Sequence, residues 1–365
     1  MAKTIVIAGG GRIGEELARQ LAAISDYEPL IVEVNHQRSR ALKDEGLGVV
    51  EGDCLSQTVM VPLLLKADAL IASVTSDLVP RLAELACQYD CHFLDFSEEA
   101  GIRQQISDML DTCGKGEALS FASGCGLAPG FVGALTEDVI RKCHKDDEVT
   151  VFVGVLPQQR TNRLGYCNIW GVSGLVDEYF NDCMAIRDGA AKTIAPLSLF
   201  ETIMIGRQSY EAFTTSGSLD NLVARYQGQL KGLVFKTLRY PKHLDYMLFL
   251  LDDLQLRKRP SSLSNLMLNT LPKTSFDRVI IAIETTRNGK KGLPVLKIFE
   301  GDETAAASTR LSVAHAGCVL DLIFAGDLSK GSVTEAGDLS LEHLSRSPFS
   351  GLFQSEGHLQ KALAT

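Results

Sequence analysis

No C-x-x-C pair occurs among the nine cysteines of this 365-residue chain. Nine over that length is too sparse for a disulfide scaffold, and the count is odd. Cys87 and Cys91 stand four apart, but no second Cys/His pair nearby completes a zinc site. The expectation is reduced, mostly buried thiols and no metal. Basic residues are in the minority, Lys+Arg 36 against Asp+Glu 45, for a formal charge of −9. With a pI near 5.4, the chain lacks the basic balance that phosphate neutralisation needs, which argues against a nucleic-acid partner. Long apolar runs are missing as well: the longest, Tyr246 to Leu251, falls far short of a membrane span. Met-Ala-Lys leads straight into an apolar run without the small-residue cleavage region of a signal peptide. There is no internal repeat and no low-complexity run. These absences predict a cytoplasmic protein that handles small molecules.

The apolar share of 45% and charged share of 22% exclude wholesale disorder, and the length predicts two domains. Up to residue 123, short apolar runs alternate with amphipathic stretches. Strands are predicted over Thr4–Ala8, Leu30–Val34, Gly48–Glu51, Ala69–Val74, His92–Asp95 and Leu119–Ala122. Between them, helices are predicted at Glu15–Ala23, Ser39–Glu45, Gln57–Leu65, Leu78–Tyr89 and Ile102–Thr112. Strands that are apolar throughout, rather than alternating, belong to a parallel sheet covered on both faces. The fold class is therefore α/β, a Rossmann doubly wound parallel sheet over 1–123. Beyond it, 124–304 reads as mixed α+β, a second domain for substrate binding and dimerisation. The Ala-rich stretch Ala305–Phe324 reads as a helix returning to the first domain, which segment 305–365 would complete.

Gly9-Gly10-Gly11-Arg12-Ile13-Gly14 spells G-x-G-x-x-G between a predicted strand and a predicted helix. In that context Gly9 permits the tight turn, Gly11 the approach of a pyrophosphate, and Gly14 close helix–strand packing. The amides of Arg12 and Ile13 would then point at phosphate oxygens from the helix start. Glu33 lies at the end of the second strand, where a carboxylate accepts from a ribose 2′-hydroxyl and repels a 2′-phosphate. NAD is favoured, with NADP kept open by Asn35, His36 and Arg38. Asp53 and Cys54 after the third strand, and Ser73 and Val74 ending the fourth, fall at strand tips that face the ligand crevice or form plain turns.

Three further segments resemble the saccharopine dehydrogenase-like family, most nearly its lysine 6-dehydrogenase branch. They are His92-Phe-Leu-Asp-Phe-Ser-Glu-Glu99, the Gly124-Cys-Gly-Leu-Ala-Pro-Gly130 loop, and Lys236-Thr-Leu-Arg-Tyr-Pro-Lys-His243, with Gly165-Tyr166 to Trp170 and Asp177-Glu178-Tyr179 between. Ala41 to Gly46 running into Glu51-Gly52-Asp53 is similar to NAD-binding regulatory domains of potassium-uptake proteins, which also places Glu33 at the ribose. The resemblance implies an NAD-dependent oxidoreductase acting on the C–N bond of an amino acid or related amine, and a homodimer. Two departures stand out. Ala212–Leu219 lacks the arginine that fungal saccharopine reductases carry there, and the tail after Gly326 matches the family ending poorly. A saccharopine-type reductase of a secondary amine, or a non-catalytic NAD-sensing protein, is the alternative.

Oxidation of a C–N bond requires a proton acceptor for the amine and anchors for the rest of the substrate. Asp95, at the tip of the fifth strand, either holds the substrate ammonium or starts the following helix. Gly124 and Gly126 would let nicotinamide and substrate approach backbone, or serve as a hinge. Cys125 between them has no basic neighbour and reads as an inert thiol. Arg239 suits an amino-acid carboxylate. His243, four residues on, would share its face if a helix begins at Arg239, and is either the proton acceptor or structural. Tyr166 and Trp170 would wall an aliphatic substrate chain or belong to the core. Glu178 and Tyr179 read as helix surface and core.

Overall fold

The computed structural model describes residues 2–354 apart from 115, 170 and 218. The chain forms two compact units, one up to Ala134 with Thr309–Gln354, the other Leu135–Ser308.

In the first unit, β1 (Lys3–Ala8), β2 (Tyr27–Glu33), β3 (Val49–Glu51), β4 (Ala69–Ala72), β5 (His92–Asp95) and β6 (Phe121–Ser123) alternate with helices. These are α1 (Arg12–Ala22), α2 (His36–Asp44), α3 (Gln57–Leu64), α4 (Val79–Gln88) and α5 (Ala100–Cys113). The strands form a parallel sheet in the order β3-β2-β1-β4-β5-β6. In β1, Ile5 to Ala8 are fully enclosed, as an apolar strand in the middle of a parallel sheet must be. α1 buries Gly14, Leu17, Ala18 and Leu21, the i, i+3, i+4, i+7 stripe of a helix covering a sheet. The doubly wound expectation holds.

Two features were not in the sequence reading. Val333–Glu335 (β16) adds a seventh parallel strand beside β6; three half-buried residues carry too little pattern to announce it. Cys87 and Cys113 are joined by a disulfide, which corrects the expectation of reduced thiols at those two positions. The pairing of α4 with α5 brings the two Cα atoms to 6.8 Å across 26 residues of sequence. The long helix α11 (Ala307–Ala325) forms where the Ala-rich stretch predicts it, and from Thr309 on it belongs to the first unit.

α6 (Val132–Ile140) leads into the second unit, built on β7 (Glu148–Pro157), β12 (Gly232–Arg239) and β13 (Asp277–Arg287). β7 pairs parallel with β12 and antiparallel with β13. The hairpin β10 (Glu201–Ile205) and β11 (Gln208–Phe213) extends the sheet beyond β12. The hairpin β8 (Cys183–Arg187) and β9 (Ala190–Ile194) also joins β12, and β14 (Lys290–Lys291) and β15 (Val295–Glu300) join β13. One face is covered by α7 (Val172–Phe180), α9 (His243–Leu248) and α10 (Pro260–Thr270), packed through Leu175, Val176, Phe213, Met247 and Leu263. A short α8 (Asp220–Tyr226) precedes β12.

The condition under which Arg239 and His243 would share a helix face is not met. Arg239 ends β12, paired with Glu211 of β11, and the helix opens at His243 after Lys242, whose φ is +75°. The ladder with β11 holds Arg239 extended, so Arg239 and His243 do not share a helix face.

Candidate functional site

The glycine loop between β1 and α1 shows three glycines with three different constraints. Gly9 has φ +99°, and a Cβ there would stand 2.3 Å from the Ser73 carbonyl oxygen. A Cβ on Gly14 would stand 2.0 Å from the Gly9 oxygen. A Cβ on Gly11 would meet nothing within 4 Å. The first two glycines are demanded by packing within the protein, whereas Gly11 borders open space. No side chain caps α1 at Gly11, which leaves the amides of its first turn, starting at Arg12, Ile13 and Gly14, available in principle to an anion. A dinucleotide pyrophosphate fits this cradle.

Glu33 ends β2 nearly buried, at 9% exposure. Its Oε2 accepts from the Gly10 amide at 2.9 Å and its Oε1 from the Asn35 amide at 2.7 Å. The carboxylate therefore holds the glycine loop and still has lone pairs for a ribose hydroxyl. Arg38, the basic residue that could favour a 2′-phosphate, donates from Nε to the Gly10 oxygen at 2.8 Å and pairs with Glu15. His36 pairs with Glu51. Asn35 caps α2 by accepting from the Arg38 amide. At the neighbouring strand tips, Asp53 Oδ1 accepts from the Leu55 amide at 2.8 Å, the turn arrangement. Burial, then Asp53, pushes the Cys54 thiol up. Ser73 donates its amide to the Ala8 oxygen, so Ser73 and Val74 follow directly on β4 beside Gly9.

Asp95, at the end of β5, is fully buried. Its Oδ1 accepts from the Ser97 amide at 2.7 Å, from the Ser97 hydroxyl, and from the Ser123 hydroxyl at 3.0 Å. Burial raises its carboxyl, while the bonds from Ser97, Ser123 and Gly124 pull it back. It does not cap α5, whose N-cap is Glu99, so the helix-start reading of Asp95 is corrected. The Asp95 carbonyl takes the Cys125 amide. Gly124, at φ +74°, packs on Pro129, and Gly126 lies beside Phe96 and Ser312. Cys125 is buried, and its thiol is pushed well above the usual range by desolvation and then by Asp95. From α11, His315 packs its ring under Gly130, where a Cβ would come within 2.8 Å.

In the second unit, Arg239 is almost wholly buried. Its Nε donates to the Tyr179 hydroxyl at 2.9 Å, and Nη1 to the Leu238 oxygen at 2.9 Å and to Thr237 Oγ1. The guanidinium lies over the rings of Tyr166 and Tyr179, 5.2 and 5.8 Å from their centroids. Tyr179 in turn meets His243 Nε2 at 2.9 Å, and His243 Nδ1 lies 2.9 Å from the Leu164 oxygen. With Nδ1 donating, the chain runs Arg239 to Tyr179 to His243 without a conflict of donors.

This corrects the reading of His243 as proton acceptor. Both ring nitrogens are engaged, and burial followed by the Arg239 charge pushes the imidazole down to about 3. Trp170 lies outside the described residues. Glu178, read from the sequence as helix surface, instead has its Oε2 3.7 Å from Arg239 Nη2. A buried arginine demands a counter-charge, but nothing in residue spacing pairs position 178 with 239.

Among the described residues, no group of three or more His, Cys, Asp or Glu could hold a metal ion, and no helix is long and apolar enough to cross a membrane.

A doubly wound sheet with this glycine cradle, followed by a mixed-sheet second unit, defines a two-unit dinucleotide-binding oxidoreductase fold. The Saccharopine dehydrogenase C-terminal domain family matches residues 126–330, and the TrkA-N domain family matches residues 5–89. The chain belongs to the saccharopine dehydrogenase family. Apo saccharopine dehydrogenase (L-Glu forming) from Saccharomyces cerevisiae superposes with a TM-score of 0.73 at 13% identity, over 94% of this chain and 96% of that one. A meso-DAPDH mutant with DAP from Clostridium tetani gives 0.47 at 13% identity, over 94% and 96%. The glycine cradle and the TrkA-N match point to a nicotinamide dinucleotide as the cofactor class.

Proposed function

We propose that the protein is an NAD-dependent oxidoreductase acting on the C–N bond of an amino acid or related amine, of the lysine 6-dehydrogenase type. The observation that carries this reading is Arg239: a fully buried guanidinium with a fork nitrogen left over matches the carboxylate of an amino acid. NAD, when bound, supplies the hydride acceptor. Gly9, Gly11, Gly14 and the amides of Arg12 and Ile13 hold the pyrophosphate, and Glu33 holds the ribose. Asp53, Cys54, Ser73, Val74 and Gly124 contribute further edges of the same site. Within the second unit, Arg239 anchors the substrate carboxylate and Tyr166 bounds the substrate.

Asp95 takes the proton from the reacting amine: its Oδ2 is buried with no hydrogen-bond partner among the described residues, and burial raises its carboxyl. Hydride departure leaves an imine, and water replaces the nitrogen to release ammonia. The preference for NAD is supported by the pairing of Arg38 with Glu15 and Gly10, which leaves its charge spoken for. A homodimer accords with the family resemblance, and light scattering at twice 39.6 kDa is its check.

The test is dinucleotide reduction followed by absorbance, with NAD or NADP and a panel of amino acids. Lysine should yield reduced NAD and an equal amount of ammonia, and affinity for NAD should exceed that for NADP about tenfold. Tight dinucleotide binding without turnover on any amine would turn the reading to a non-catalytic sensor. Turnover of saccharopine alone would turn it to the secondary-amine reductase.

A further inference from the structure

The ion pair between Glu178 and Arg239 joins a buried guanidinium to a buried carboxylate oxygen but is not closed. Elsewhere in the same unit, Arg287 grips Asp147 with two bonds of 2.7 Å each, the geometry of a structural bidentate bridge. Arg239 Nη2 instead stops 3.7 Å from Glu178 Oε2. That oxygen is buried and accepts no hydrogen bond from any described residue. Nη2 likewise makes none, since the bonds of Arg239 run from Nε and Nη1 to Tyr179, Thr237 and Leu238. Those same bonds, with the rings of Tyr166 and Tyr179, prevent the guanidinium from turning toward Glu178.

A third polar atom, one residue from a backbone contact with Glu178, is in the same condition. Thr215 Oγ1 is buried without a partner, and the next residue, Ser216, donates its amide to the Glu178 carbonyl at 3.2 Å. Opposite charges buried and left short of contact are costly unless something else completes their bonds.

We propose that Glu178 and Arg239 together form a receptor for the zwitterionic head of a free α-amino acid, Glu178 taking the ammonium and Arg239 the carboxylate. The inference rests on the amino-acid reading above and adds to it a division of labour. The head group is held by the pair, so the amine that reacts is a different one, carried further along the substrate's side chain. Simple monoamines and diamines are excluded because they leave Nη2 unpaired, and ω-amino acids because they leave Oε2 unpaired. With Glu178 ionised the pair carries no net charge, so a zwitterion enters without unbalancing it.

Calorimetric titration of the full-length protein with L-lysine, cadaverine and ε-aminocaproate tests this, the last two lacking the carboxylate and the α-amino group respectively. Lysine should bind, and each truncated ligand should bind roughly tenfold to a hundredfold more weakly. Glu178→Gln should weaken lysine by a similar factor and abolish the discrimination against ε-aminocaproate, while NAD affinity stays unchanged. Equal affinities for all three ligands in the unaltered protein would overturn the receptor without any variant having to fold. So would a folded Glu178→Gln protein that keeps full lysine affinity and selectivity. The two readings separate cleanly in the combined outcomes. Turnover of simple amines would sink the receptor and leave the oxidoreductase standing. Head-group-selective amino-acid binding without turnover would do the reverse.

Discussion

Three glycines of one motif differ in what holds them. Gly9 and Gly14 are required by the protein's own backbone, at 2.3 and 2.0 Å from carbonyl oxygens, whereas Gly11 faces open space. Gly11→Ala should therefore fold with an unchanged unfolding midpoint, because its backbone at φ −68° is extended and strains no side chain. Calorimetry with NAD should show affinity reduced at least about tenfold, since the methyl group occupies the pyrophosphate's approach. Normal affinity in a folded Gly11→Ala protein would mean the dinucleotide approaches elsewhere. Glu33 is a different kind of residue, since its two oxygens already bind the Gly10 and Asn35 amides. It shapes the loop in addition to the ribose contact proposed for it.

Helix α11 illustrates what a sequence pattern implies at the scale of an element. It is apolar nearly all round, and Leu311, Val313, Ala316, Val319 and Leu320 are all buried, as expected of a helix enclosed by its unit. Gly317 in its middle would cost about 1 kcal/mol of helix propensity relative to alanine. The reason it stands there is Phe349: a Cβ on Gly317 would lie 2.4 to 2.7 Å from that ring. Gly317→Val should lower stability by about 1–3 kcal/mol through overpacking, seen as a lower midpoint in thermal unfolding. A rise in the midpoint would show that the ring yields freely. Strand β12 is read the same way. Its alternation sends Thr237 and Arg239 to the face of Tyr179, while Lys236 on the other face reaches the Leu199 oxygen at 2.6 Å and Glu201.

At the scale of the whole molecule, two buried histidines contribute to the response to acid. His243 is pushed down to about 3 and His315 to about 4, in both cases mainly by burial. An unfolded chain binds protons at an ordinary histidine value near 6.5, so below that value it takes up protons that the folded chain refuses. Stability then falls as pH drops from about 6.5 toward 4, by roughly 1.4 kcal/mol per pH unit for each ring. Glu178, pushed up to about 7 by burial against the opposing pull of Arg239, works the other way. The folded chain keeps it protonated where the unfolded chain ionises it, so acidification relieves its penalty. The contribution of one ring is isolated by difference: His315→Gln should flatten the dependence of the unfolding midpoint on pH between about 6.5 and 4.5. An unaltered slope would mean His315 already binds its proton in the folded protein.

At that same scale the division between sequence and tertiary structure is clear. Local information sufficed for what local physics decides. Apolar runs such as Thr4–Ala8 became central parallel strands, the stripe of Gly14, Leu17, Ala18 and Leu21 became the buried side of α1, and Gly9 to Gly14 became the turn its spacing describes. Periodicity and turn sterics act over a few residues, so they are visible in a few residues. Other features depend on long-range packing: the Cys87–Cys113 bond, β16 beside β6, the enclosure of His243 between Tyr179 and Leu164, and the approach of Glu178 to Arg239. Each joins segments separated by 26 to 212 positions, from the disulfide's sequence separation to the pairing of Phe121 with Val333. No periodicity spans such intervals. Whether a charged residue is a solvated helix surface or half of a buried pair is decided by what the rest of the chain packs against it, and only the tertiary structure contains that.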